Sequence, residues 1–278
     1  MSKTPLQRKM AEATMRLEFK KAEELSRIVT QISREMSKSL SGMPEVPSRR
    51  QLLNLVESTR VDLNKRLSEA AGLDDVYQAG LDQAIPLTGS EAKIPKSSVF
   101  YEFTPVLPVD ALTLAESEYL EAIQGVTADF KRKASTIIRV DLGAGKGIEE
   151  IKRDLVGVGL TGRQGRDGVF RNARWRAELI GRTTVNDLAN RGRMVGYLQI
   201  DDEFPELEMR KQWSAAGDTR VSDICKELNG QTQDINDDFV SSQFTGQQPP
   251  AHIQCRSAVF PVTRKYNDRM ELTWSLRN

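Results

Sequence analysis

Trp213-Ser-Ala-Ala-Gly-Asp218-Thr-Arg220 opens a stretch that runs on through Asp223-Ile-Cys225 and Leu228-Asn-Gly230. It closes on Pro249-Pro250-Ala-His252-Ile-Gln-Cys255-Arg256-Ser-Ala-Val-Phe-Pro261. The only histidine and both cysteines of the 278-residue chain fall inside it. Two elements of fixed geometry bracket them, a Trp-bearing apolar run and a Pro-Pro turn. From about Glu208 onward the pattern predicts short strands and one short helix. Long helical periods precede it, so the fold class is α+β.

Cys225, His252 and Cys255 are the residues a metal would choose. Structural zinc takes four Cys or His ligands, often two of them from a short-spaced pair. His252-x-x-Cys255 is such a pair, but a Cys-x-x-Cys partner for Cys225 falls at position 222, which is Ser. Three ligands plus Asp218 or Asp223 make an atypical site, so the expectation is packing, with no cofactor. The cysteine acts as a small buried hydrophobe, and the histidine pins its turn by a hydrogen bond. A Cys225–Cys255 disulfide is disfavoured by a reducing compartment. His252 is also the single side chain of ordinary catalytic pKa. With Asp218 or Asp223 to orient it and Arg220 or Arg256 to hold an anion, it outlines a hydrolase or nuclease. No HExxH, paired-carboxylate, nucleophile or cofactor motif accompanies it. The preferred reading is ion pairs that brace a small domain (Asp218–Arg256 or Asp223–Arg220), and no enzyme is expected.

Upstream, Leu25, Val29, Ile32, Met36 and Leu40 recur at spacings of three and four and predict an amphipathic helix stopped by Ser41-Gly42 and Pro44. Leu52, Val56, Thr59, Leu63, Leu67 and Ala70 predict a second, leaving at Gly72, and the two most simply form an antiparallel pair. Their stripes approach heptad spacing, which also suits self-association. Residues 80–110 carry four prolines and no helical period, with Val99–Phe103 as an isolated strand, and read as a linker. A long helix over about Leu112–Asp141 buries Tyr119, Ile123, Val126, Phe130, Ala134 and Ile137. Gly143-Ala-Gly-Lys146 is not a phosphate-binding loop, because Val140 stands at the first glycine position and Gly147 at the magnesium-binding hydroxyl. It reads as glycine-mediated helix termination, with a new helix from Ile148 whose first turn is acidic. After the polar Leu160–Gly168 linker, Trp175, Leu179, Arg182, Val185, Leu188 and Val195 mark another long helix. The division is thus 1–79 helical, 80–110 linker, 111–263 the main domain, and 264–278 a tail. Trp213 is read as core, Trp175 as core or interface, and Trp274 as an anchor on a partner.

The 38% hydrophobic and 28% charged composition suits a soluble chain with a real core. No apolar run reaches the roughly 20 residues a membrane helix needs. Met1–Pro5 begins no secretory segment, so a bacterial cytosol is the expected site of synthesis. Net charge is +1, unevenly spread: twelve bases face five acids between Lys131 and Arg176. Lys131, Arg132, Lys133, Arg163, Arg166, Arg171 and Arg174 are therefore the candidate phosphate contacts. A solvated helix face with helix-dipole partners is the competing reading.

The order and spacing of Trp213, Asp218-x-Arg220, Cys225, Gly230 and Pro249-Pro250-x-His252-x-x-Cys255-Arg256 resemble the C-terminal module of the phage Mu F-protein-like minor head proteins, the phage head-morphogenesis family. The Gly-rich turn at 143–147 and the helix carrying Arg182-Thr183-Thr184 and Asn190 extend the resemblance over about Leu112–Pro261. Thr184 stands where the family usually has Glu, and Ser257 where some members place a further Cys. The resemblance implies a structural virion protein acting near the portal vertex, inside the capsid, in head assembly and DNA packaging. Its implied partners are the portal protein, coat or scaffold protein and packaged double-stranded DNA. A DNA-binding scaffold component without portal contact is the alternative that stays open beside the hydrolase.

Overall fold

A computed structural model describes residues 3–156 and 169–266. Long helices lead into a small module of antiparallel strands, which is the α+β class read from the sequence. The helices are α1 (Pro5–Ser41), α2 (Arg49–Glu69), α3 (Leu73–Leu81), α4 (Ala84–Ala92), α5 (Val109–Gly143), α6 (Ile148–Val156), α7 (Val169–Glu203) and α8 (Asp223–Leu228). The strands are β1 (Arg210–Ser214), β2 (Thr232–Asp234), β3 (Phe239–Val240), β4 (Thr245–Gly246) and β5 (Ala258–Val262). The chain forms two compact units from interleaved segments. One comprises Met1–Phe19, Gly72–Ala115 and the chain from Arg182. The other comprises Lys20–Ala71 and Glu116–Gly181.

The second unit is helical. The α1 stripe from Leu25 to Leu40 is buried, as are Leu52, Val56, Leu63 and Leu67 of α2. Ser48 starts α2 with a capping box: its hydroxyl accepts from the Gln51 amide, and the Gln51 side chain accepts from the Ser48 amide. Lys21 donates to the Ala70 carbonyl at 2.7 Å, so α1 and α2 run antiparallel. Tyr119 of α5 donates to the Leu67 carbonyl at 2.7 Å. In α5 the stripe closes on Ile138, which is fully buried, rather than on Ile137. The last step along the face, from Ala134, spans four residues and reaches Ile138, whereas a step of three would reach Ile137. Gly145, at φ +70°, ends α5. Lys146 then gives its ammonium to Asp141 (2.6 Å) and to Asp154, so it is spent on two carboxylates.

The first unit holds the three-stranded antiparallel sheet, in the order β2-β1-β5. Arg210 to Ser214 pair with Val262 to Ala258, and Arg210 to Gln212 with Asp234 to Thr232. Strand alternation sends Lys211 and Trp213 to the buried face. Trp213 is fully buried and meets Phe239 and Phe244 edge-on, with centroids 5.3 and 5.5 Å away.

Residues 80–110, read as helix-free, contain α4, and Val99–Glu102 is a single 3-10 turn rather than a strand. Phe100 is buried against Phe204 and Tyr101. The short period of α4 is masked by Pro86 in its first turn, where a missing N–H costs nothing. Small residues bring α3 and α4 onto α7. A Cβ on Gly80 would lie 2.3 Å from the Ala189 carbonyl oxygen, and one on Gly192 would lie 2.2 Å from that of Tyr77. Met10 and Leu6 pack on Leu87 and Phe260, so the first helical turns also complete this unit. At the chain's other end, the Arg264 amide donates to Leu207 and the Tyr266 amide to Ala92. Leu160–Thr161 and the rest of the linker to Gly168, with Arg163 and Arg166, lie outside the described residues, as does Trp274.

Candidate functional site

The short helix α8 is nucleated by Ser222, whose hydroxyl accepts from the Cys225 amide at 3.2 Å. That cap turns Cys225 and Leu228 inward, and Cys225 is buried. Beyond α8 and the short strands β2 to β4, the chain passes a cis Pro249-Pro250 peptide and folds back on itself. The Cys255 amide donates to the His252 carbonyl at 3.0 Å, and Gln254 takes φ +62° in between. The turn therefore delivers His252 and Cys255 to the same side, above α8.

Helix α7 holds this turn from behind. Thr183 Oγ1 accepts from the Gln254 amide (3.1 Å), and Asn186 donates to the Cys255 carbonyl. Asn190 donates to the Ser257 carbonyl (3.3 Å) and accepts from the Val259 amide (3.0 Å). Positions 183, 186 and 190 share one helix face, so a polar stripe along α7 pairs the backbone of the strand entry. Asn186 was not singled out from sequence. Its signal is Thr-x-x-Asn-x-x-x-Asn at helical spacing inside an otherwise apolar face. One turn later Arg193, fully buried, donates to Asn190 Oδ1 (2.9 Å), Gln83 (2.9 Å) and Thr14 (2.7 Å).

Cys225, His252 and Cys255 come together, with all their ligating atoms within 4.8 Å of one another. The two sulfurs are 3.6 Å apart and both thiols are free. His252 Nε2 lies 3.2 Å from Cys225 Sγ and 2.8 Å from Ser222 Oγ. Its Nδ1 is 2.8 Å from the Ile253 carbonyl oxygen. A carbonyl only accepts, so Nδ1 carries the hydrogen and the lone pair of the neutral ring points from Nε2 into the cluster. Ser257, two residues beyond Cys255, is buried. The Cys255 thiol donates toward Cys225 and holds that thiol well below its ordinary value, against burial. The same bond, with burial, pushes Cys255 up. Ser222 stands where the Cys-x-x-Cys arithmetic wanted a thiol, and the structure places it at the cluster.

The charged residues sit beside this cluster. Arg256 forms a bidentate pair with Asp218, one bond at 2.8 Å, and the guanidinium holds the Asp218 carboxyl well below the usual carboxylate range. Asp218 also accepts from the Arg220 amide at 3.0 Å. Asp223 pairs with Lys226 (2.8 Å) rather than with Arg220. Among the described residues neither Asp218 nor Asp223 bonds to His252, and the ring is oriented by the Ile253 backbone carbonyl. Gly230, at φ +87°, turns the chain after α8, and its amide donates to the Trp213 carbonyl at 2.8 Å.

The basic block distributes differently. Lys131 pairs with Glu57 (2.8 Å), while Arg132 (2.5 Å), Lys133 (3.5 Å) and Arg176 (2.8 Å) converge on Asp129. A groove of about 720 Å³ is lined by Arg132, Lys133, Arg171, Arg174 and Trp175 among others. Trp175 is 57% exposed on it.

Long helices with a small module of antiparallel strands and a Cys/His turn make an α+β fold. Residues 133–260 match the family described as phage Mu protein F like protein, in line with the resemblance read from the sequence. The match begins inside α5 and ends inside β5, so it takes in parts of both units. Nothing matches among curated proteins or among solved structures. Among the described residues no helix is long and apolar enough to cross a membrane.

Proposed function

We propose that the protein is a minor head component that acts near the portal vertex, inside the capsid, during head assembly and DNA packaging. The observation that carries this reading is the family match over residues 133–260. The groove at Arg132, Lys133, Arg171, Arg174 and Trp175 supports the DNA side of it. It sets guanidinium and ammonium groups around one exposed aromatic ring, a combination suited to phosphates. The portal protein is the proposed protein partner, with coat or scaffold protein as further ones.

The test is co-sedimentation of the full-length protein with the portal protein encoded alongside it, followed by quantification of both in purified heads. A stoichiometric pellet that survives DNase treatment supports a portal-vertex component. Protein that stays in the supernatant and is missing from heads refutes the placement. A deletion of the N-terminal helices is not a clean probe, since Leu6, Met10 and Thr14 are built into the unit that carries the C-terminal sheet.

A further inference from the structure

We propose that Cys225, His252 and Cys255 form a binding site for one soft divalent cation, zinc by preference, with its fourth position facing the Ser222 hydroxyl. The inference goes beyond the role in the phage head and does not depend on it. Sequence spacing argued for packing because only three ligands could be counted. The geometry supplies what counting cannot.

A tetrahedral zinc with Zn–S of about 2.3 Å and Zn–N of about 2.0 Å requires S···S near about 3.8 Å and S···N near about 3.6 Å. Two of the three pairs already stand close to this, at 3.6 Å for the sulfurs and 3.2 Å for Cys225 Sγ and His252 Nε2. All ligating atoms lie within 4.8 Å of one another, so side-chain adjustments of up to about 1 Å between Cys255 and His252 admit the ion. The sulfurs are far beyond the ~2.05 Å of a disulfide. The histidine is already set for coordination. A metal-bound imidazole almost always gives its other N–H to a carbonyl or carboxylate, and here Nδ1 meets the Ile253 carbonyl at 2.8 Å.

Charge and softness choose the ion. As it binds, each thiol releases its proton to solvent, and two thiolates with a neutral imidazole balance a dication. A complex with no net charge suits a buried setting. Sulfur and imidazole donors select zinc over magnesium or calcium, which take oxygen. Two Cys and one His with a fourth position open is also the donor count of sites that retain a water. Ser222 Oγ, 2.8 Å from Nε2, is placed to bind that water or to approach the ion itself. The mechanical effect is to tie α8 to the 252–255 turn, two pieces of backbone thirty residues apart in a module with only short strands. Metal binding then adds directly to folding free energy.

The experiment uses the full-length protein. Zinc content is measured after purification without chelator or added metal, and the stripped protein is titrated with Co²⁺. One equivalent of zinc and a tetrahedral cobalt spectrum with thiolate-to-cobalt charge transfer are expected. Cys255→Ser should weaken binding by more than the roughly 10- to 100-fold that loss of an outer-shell partner already costs. Ser222→Cys, which completes four ligands, should tighten it. Should Cys255→Ser not fold, the wild-type spectrum and the Ser222→Cys affinity decide alone. Protein that purifies without zinc and gives no charge-transfer band overturns the proposal. So does cobalt bound without sulfur character, or alkylation of Cys225 at a rate that zinc leaves unchanged.

Discussion

Lys211 is the residue whose position is hardest to reconcile with stability alone. It is fully buried on the inner face of β1, 5.5 Å from the centre of the Phe239 ring, and its ammonium has no hydrogen-bond partner among the described residues. Burial holds its pKa down at about 8, against the pull of Asp238 and Asp237. The folded value lies below the ordinary 10.5, so between pH about 8 and 10.5 the unfolded chain binds more protons than the folded one. Stability should therefore rise with pH across that window, and the full burden of the buried charge is present below it. Lys211→Met is expected to remove the rise and to hold or raise the Tm at pH 7, since replacing a buried charge by an apolar group of similar volume is often neutral or stabilising. Thermal unfolding from pH 7 to 10.5 checks this, and a lower Tm at pH 7 would count against it. Arg193 is the contrast: equally buried, it has three side-chain partners, so its charge is compensated by hydrogen bonds that Lys211 lacks.

At the scale of elements, the contact of α3 with α7 depends on the absence of side chains at Gly80 and Gly192. Gly192→Ala would push a methyl group against the Tyr77 carbonyl oxygen at 2.2 Å, so a helix-favouring substitution should destabilise. A loss of about 1–3 kcal/mol is expected from overpacking, read from the denaturant midpoint; an unchanged midpoint would show that the helices separate freely. The sequence made this layer hard to see. The α1, α2 and α5 stripes were legible because large apolar residues recur on a 3.6 period and each helix is long. In α4, Pro86 and Gly89 hide the period, and Val99–Phe103 resembles a strand only by composition, since it has no strand to pair with and its Phe100 goes to the core instead. The C-terminal strands and α8 were legible because Trp213, Gly230 and Pro249-Pro250 fix them locally. At the site, the residue types and Ser222's relation to Cys225 could be read off. The meeting of α8 with the turn could not, because it depends on the Thr183, Asn186 and Asn190 face of a helix some forty to seventy residues earlier.

For the molecule as a whole, the basic block is less of a bare charge than its composition suggests. Four of its side chains are paired with Asp129 or Glu57, and such exposed pairs contribute little to stability and are weakened by salt. If the groove beside Trp175 takes up double-stranded DNA with roughly four phosphates neutralised, log K should fall against log salt with a slope near about −3 to −4. Arg171→Ala with Arg174→Ala should reduce that slope by about 2, with no change in base preference. Fluorescence anisotropy on two unrelated duplexes provides the measurement; a salt-independent or sequence-selective signal would rule this mode out.

The interleaving of segments has a consequence in time. Residues 6–14 find their packing partners at Leu87, Arg193 and Phe260, so these helix turns wait on residues translated much later. During translation the unit spanning Lys20–Ala71 and Glu116–Gly181 can close as soon as Gly181 has left the ribosome. The unit with the sheet and the Cys/His turn closes only after β5 has emerged. A product cut short between Gly181 and Ala258 would carry a folded helical half and an exposed, incomplete partner, the kind of species that chaperones and proteases recognise. Only a chain synthesised through β5 could reach head assembly with this module intact.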